Sequence, residues 1–153
     1  MKTLGRVSLA VLFLTWGLNA MAASNNKHVI SASNAVVTLD VFSGRPNPTW
    51  SLPESTTVEL LRRLQALDES KVDALEFDGL GYRGVSAEFH DQSKGVIDVK
   101  ASRGFVTLNQ SGQRFRYVDP GRQFELWLVN TGAGHLTPDL LQYVTKEIVS
   151  KPQ

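Results

Sequence analysis

The chain reads as an α+β domain, an antiparallel sheet of about four or five strands with about three helices in the order β-α-β-β-β-(β)-α-α. Three observations predict it. Short runs of two-residue hydrophobic alternation follow one another between Val85 and Val118. Only turn-forming residues separate them, so consecutive antiparallel strands are favoured over parallel strands with helical crossovers. Apolar residues at helical spacing flank that block, at Leu60, Leu61, Leu64 and Leu67 before it and at Leu141, Val144 and Ile148 after it.

The first element starts after Asn34, where Val37, Leu39 and Val41 alternate with Thr38, Asp40 and Phe42. This is the pattern of a strand buried on one face. It ends in Gly44-Arg45-Pro46-Asn47-Pro48. Ser51-Leu52-Pro53-Glu54 then matches a capping box, with Ser51 accepting from a first-turn amide and Glu54 reaching back. A helix of about four turns is expected from there, with Glu59 and Arg63 paired at i,i+4 on its polar side. Asp68 to Gly81 is acidic and turn-rich. Val85, Ala87 and Phe89, then Ile97, Val99 and Ala101, then Phe105 to Leu108 and Phe115 to Val118, form a meander broken at DQSKG, SRG and QSGQ. Asp119-Pro120 reads as a cap and first helical position for a helix through Phe124 and Leu128 that Gly132 and Gly134 stop. Thr137-Pro138 opens the last helix.

Ahead of the domain, Lys2 and Arg6 precede an apolar run from Val7 to Leu18, and Ala20-Met21-Ala22 places small residues where a signal peptidase reads. The sequence predicts a signal peptide over 1–22 cut after Ala22, a loose polar mature N-terminus over 23–33, and a single domain over 34–153. The mature protein is expected in the periplasm or outside the cell. The apolar run is shorter than the roughly 20 residues of a membrane span.

The chain has no cysteine, which excludes thiol catalysis, thiolate metal sites, disulfides and a lipid-carrying cysteine. Its formal charge of +1 rests on 16 basic and 15 acidic residues. Without Lys2 and Arg6 the balance is 14 to 15, too nearly neutral for binding nucleic acid through its phosphates.

Chemical motifs are sparse. His28, His90 and His135 lack any metal-ligand spacing, and neither a metal nor a cofactor is expected. Asp68, Glu69, Asp73, Glu76 and Asp78 lack the rhythm of a calcium loop. No GxSxG elbow is present. Gly79-Leu80-Gly81-Tyr82-Arg83-Gly84 has the glycine spacing of a dinucleotide fingerprint but precedes a strand. It therefore reads as a turn that sets Tyr82 and Arg83 at the strand's head. Glu88, His90, Asp98, Lys100, Arg114 and Arg116 are expected on the outer face of the sheet, with Arg103 and Arg122 near strand ends.

The segment GRPNPTW remains. Pro46 and Pro48 fix φ and push Arg45 and Asn47 toward extended geometry, so the loop is stiff and loses little entropy on binding. Arg45 offers a planar fork of donors, Asn47 a donor–acceptor pair and Trp50 an amphipathic ring, beside the amides of the expected helix N-terminus. Arg45, Asn47, Trp50, Tyr82 and Arg83 are the candidate binding residues, for another protein or a small anionic or sugar ligand. The function expected is an exported binding or interaction protein acting through this loop, a class that includes inhibitors and immunity-type proteins. Two other readings stand beside it: a small secreted hydrolase or ligand-modifying enzyme with its site near the loop, and a purely structural corner in which Trp50 plugs the helix entry and Arg45 satisfies nearby carbonyls.

Overall fold

A computed structural model describes residues 33–72 and 79–150. The expected signal peptide, the mature N-terminus up to residue 32, and Asp73, Glu76 and Asp78 of the acidic loop lie outside the described residues. The elements are β1 (Ala35–Asp40), β2 (Thr49–Leu52), α1 (Glu54–Gln65), β3 (Gly84–Asp91), β4 (Gly95–Ser102), β5 (Phe105–Gln110) and β6 (Gln113–Val118). A short 3₁₀ turn (Pro120–Arg122), α2 (Gln123–Asn130) and α3 (Pro138–Ser150) complete them. One six-stranded sheet runs β2-β1-β3-β4-β5-β6, antiparallel at every step. The fold is α+β, with one strand more than the upper expectation.

That strand is β2, and it corrects the reading of Ser51. Thr49–Leu52 pairs with β1, Val37 opposite Trp50 and Ala35 opposite Leu52, which turns Trp50 and Leu52 into the core and leaves Ser51 exposed. Helix α1 starts only at Glu54, behind Pro53, with no side-chain cap. A cap hydrogen bond contributes about 1 kcal/mol. Burying a tryptophan and a leucine contributes several times that, so strand pairing prevails. The helix is 12 residues long, a little over three turns. Its expected Glu59–Arg63 pair is present at 2.8 Å, and Arg62 adds a second contact to Glu59 at 2.6 Å.

The meander from β3 to β6 follows from its turns. Arg103-Gly104 and Ser111-Gly112 both hold two successive residues at positive φ, the geometry of two-residue hairpins whose twist matches the flanking strands. Asp91 closes the longer β3–β4 turn by accepting from the amides of Ser93 (2.8 Å) and Lys94 (2.9 Å).

Strand register lines up the core in rows across the sheet. One runs Trp50, Val37, Ala87, Val99, Leu108 and Phe115, and another Leu39, Val85, Ala101, Val106 and Tyr117. Leu60 and Leu64 of α1, Phe124, Leu128 and Val129 of α2, and Val144 and Ile148 of α3 are buried with these rows. Helix α2 packs against β3 and β4, α1 against β2 and α2, and α3 against α2. Asp119 caps α2 as its sequence suggested, although the cap reaches across the 3₁₀ turn to the amides of Phe124 (2.8 Å) and Glu125 (2.9 Å).

The other face of the sheet carries the charges expected there. Glu88, His90, Lys100 and Arg114 are exposed, while Asp98 and Arg116 are half-buried. Glu88 sits directly opposite Asp98. Burial, and then the Glu88 charge, raise the Asp98 carboxyl above its ordinary range. Arg122 does not belong to this surface. It is 5 % exposed and forms an ion pair with fully buried Glu125 at 2.8 Å.

Candidate functional site

The connection from β1 to β2 leaves the sheet ladder at Val41, so its backbone amides need acceptors from side chains. Asn47 supplies them. Its Oδ1 accepts from the Val41 amide at 3.0 Å and the Phe42 amide at 2.8 Å, while its Nδ2 donates to Asp40 Oδ1 at 3.1 Å. Pro48 closes the base of the loop, its carbonyl accepting from the Leu39 amide at 2.9 Å. The stiffness expected from two prolines is therefore reinforced by one asparagine that bridges both limbs of the loop.

Arg83 fastens the loop to the head of β3. Its Nε donates to Asp40 Oδ1 at 3.1 Å, and its Nη2 makes a closer contact with the same oxygen. It also donates to the Phe42 carbonyl at 2.9 Å and the Ser43 hydroxyl at 3.1 Å. Partial burial opposes charge on Asp40, but the hydrogen bond and charge of Arg83, helped by Asn47, outweigh it and hold the carboxyl below its ordinary range. Asp40, Asn47 and Arg83 thus form one network whose donors and acceptors are directed into the loop.

Arg45 is placed differently. It is exposed, and its guanidinium lies 3.4 Å from the centroid of the Phe42 ring. No ion pair to Arg45 is found among the described residues. A guanidinium resting on an aromatic face can still offer its in-plane N–H fork, which takes a carboxylate or phosphate through two hydrogen bonds. Phe42, half-buried and held by the amide it gives to Asn47, is the shelf on which this cation rests.

Trp50 and Tyr82 point inward. Trp50 is 4 % exposed; its indole N–H donates to the Thr131 hydroxyl at 2.9 Å, and that hydroxyl donates to the Leu128 carbonyl. Its ring lies so close to Gly132 that a Cβ there would stand 2.8 Å from it. Tyr82 is 8 % exposed and donates to Glu125 Oε1 at 2.7 Å. Burial, and then the Glu125 charge, push its hydroxyl pKa far up, so it remains a donor. The partner that Tyr82 finds is itself held by Arg122, which also donates to the carbonyls of Glu147 and Ile148 near the end of α3.

The five candidate residues therefore divide. Asn47 and Arg83 meet through Asp40, Trp50 on β2 and Tyr82 ahead of β3 are hydrogen-bonded to Thr131 and Glu125, and Arg45 alone presents its polar group to solvent. Asp40 and Phe42 complete the site; the only trace of them in the sequence is their position at the end of the alternating run. The helix amides expected beside the loop are elsewhere, because β2 separates the loop from α1 by four residues, about 13 Å of strand. Among the described residues, no group of three or more histidine, aspartate or glutamate side chains is placed to hold a metal ion. No helix among them is long and apolar enough to cross a membrane. No family model matches the chain, and neither a curated protein nor a solved structure matches it.

Proposed function

We propose that the chain is an exported binding protein, of inhibitor or immunity type, that receives an acidic group of a partner protein on Arg45. One observation carries the reading: an exposed guanidinium, without an ion pair among the described residues, is stacked on Phe42 at the tip of a loop braced by its own side chains. A braced loop loses little conformational entropy when a partner docks, and an arginine held by its face binds with its edge. Export is supported by the sequence of residues 1–22, and it predicts a mature chain beginning at Ala23 when secreted protein is weighed by mass spectrometry.

The hydrolase reading is less well supported. The carboxylate nearest the loop, Asp40, is paired with Arg83 and Asn47 and has its pKa lowered, the reverse of what an acid–base residue working near neutral pH needs. The test uses the mature protein as bait in an envelope or culture-medium extract, alongside Arg45→Glu and the outer-face variant Arg114→Glu. A partner kept by wild type and Arg114→Glu but lost by Arg45→Glu supports the proposal. A partner kept by Arg45→Glu and lost by Arg114→Glu moves the interface to the sheet face and overturns it.

A further inference from the structure

At the end of the sheet opposite the loop, a half-open groove of about 670 Å³ lies between α1 and the strands β4 to β6. Its volume falls within the roughly 300–1,000 Å³ of small-molecule sites. Leu61 and Leu64 form the helix wall, Ile97 and Leu108 the floor, and Phe115 and Tyr117 the far wall. The groove follows from a mismatch of layers. The core rows continue to Phe115 and Tyr117 on β6, but α2 packs over β3 and β4, and both rings remain only half-buried on the helix side.

The rim is polar and carries one charge of each sign, Asp91 and Lys94. Asp91 accepts from three donors of its own turn through Oδ1: the Ser93 amide (2.8 Å), the Ser93 hydroxyl (2.7 Å) and the Lys94 amide (2.9 Å). Lys94 has its backbone held on both sides, by Asp91 and by the Ser111 hydroxyl that donates to its carbonyl at 3.0 Å. Its ammonium is exposed, and its charge acts on the Asp91 carboxylate of the same rim. Gln65 and Gln110 add neutral amides. An apolar trough with an exposed ammonium at its mouth, beside a carboxylate whose Oδ1 is turned into its own hairpin, matches a molecule with an apolar tail and an anionic head.

We propose that this groove binds a small amphipathic carboxylate, with its alkyl chain against Leu61, Leu108 and Phe115 and its head at Lys94. The proposal does not depend on the function assigned to Arg45, which lies at the other end of the sheet. It is tested by calorimetric titration of the mature protein with dodecanoate and with dodecylamine, which have the same tail and opposite heads. Dodecanoate is expected to bind one to one and at least about tenfold more tightly than dodecylamine. Leu61→Trp, which fills the groove, is expected to abolish binding, and Lys94→Glu to weaken it about tenfold or more. Should Leu61→Trp fail to fold, Lys94→Glu on the exposed hairpin still decides the question. Equal affinity for the two heads, dodecanoate binding indifferent to Lys94→Glu, or no binding at all would overturn the proposal. So would binding seen only in a chain shortened to start at Ser33, because the chain's own preceding residues would then be the groove's occupant.

Discussion

The two ends of the sheet solve different structural problems. At the loop end the backbone is irregular, and the amides of Val41 and Phe42 are met by a side chain, so Asn47, Asp40 and Arg83 make a polar brace. At the hairpin end the backbone is regular, and the irregularity lies in coverage, with apolar rows reaching β6 beyond the helix that packs on β3 and β4. The first arrangement leaves a cation on a stiff support. The second leaves an apolar trough. Exposed chemistry can therefore arise in one chain either where the ladder ends or where the second layer runs short.

Mutations can break this comparison, and the largest effect is expected where the brace meets the core. Glu125→Ala removes the buried carboxylate that Arg122 and the Tyr82 hydroxyl share and is expected to lower stability by about 3–5 kcal/mol in urea denaturation. A loss below about 1 kcal/mol would show that the network is dispensable. Gly132→Ala comes next, because its Cβ would collide with the Trp50 ring; about 1–3 kcal/mol is expected from the same measurement. Asn47→Ala removes the acceptor for two loop amides and should cost about 1–2 kcal/mol.

Acid sharpens the contrast between the ends. The folded-state pKa of Asp40 lies below its ordinary value of 3.8, so its stabilising contribution is fully present above that value and is lost as the pH falls through the lowered one. The difference in melting temperature between wild type and Asp40→Asn is therefore expected to be constant near neutrality and to shrink as pH falls below about 4. A difference that persisted in strong acid would assign the effect to something other than the carboxylate's charge. The smallest change in stability is expected from Arg45→Ala, within about 0.5 kcal/mol, since an exposed side chain is removed from a loop that others hold.

Local pattern made β3 to β6 and α3 legible, because alternation, positive-φ turn pairs and a proline start all act over a few residues. It misread β2 because Ser51-Leu52-Pro53-Glu54 satisfies a helix cap locally, while the partner that decides the matter, Val37, is 13 residues away from Trp50. The loop's stiffness could be inferred from Pro46 and Pro48, but the division of labour within it could not. Whether Arg45 or Arg83 is the free cation depends on Asp40 pairing with a residue 43 positions further on. Arg122 looked like a surface arginine because its acceptors, Glu125 and two carbonyls of α3, are assembled only by packing. The groove left no trace in sequence, since it depends on how far a helix layer reaches across a sheet.

The central claim is that bracing and binding belong to different residues of one loop. Amide hydrogen exchange at Val41 and Phe42 tests it most directly, in wild type, Asn47→Ala and Arg45→Ala. Slow exchange in wild type and Arg45→Ala, with fast exchange in Asn47→Ala, is the predicted result. Fast exchange in wild type, or equally fast exchange in Arg45→Ala, would contradict it, the first by showing that the loop is not braced and the second by making Arg45 part of the brace.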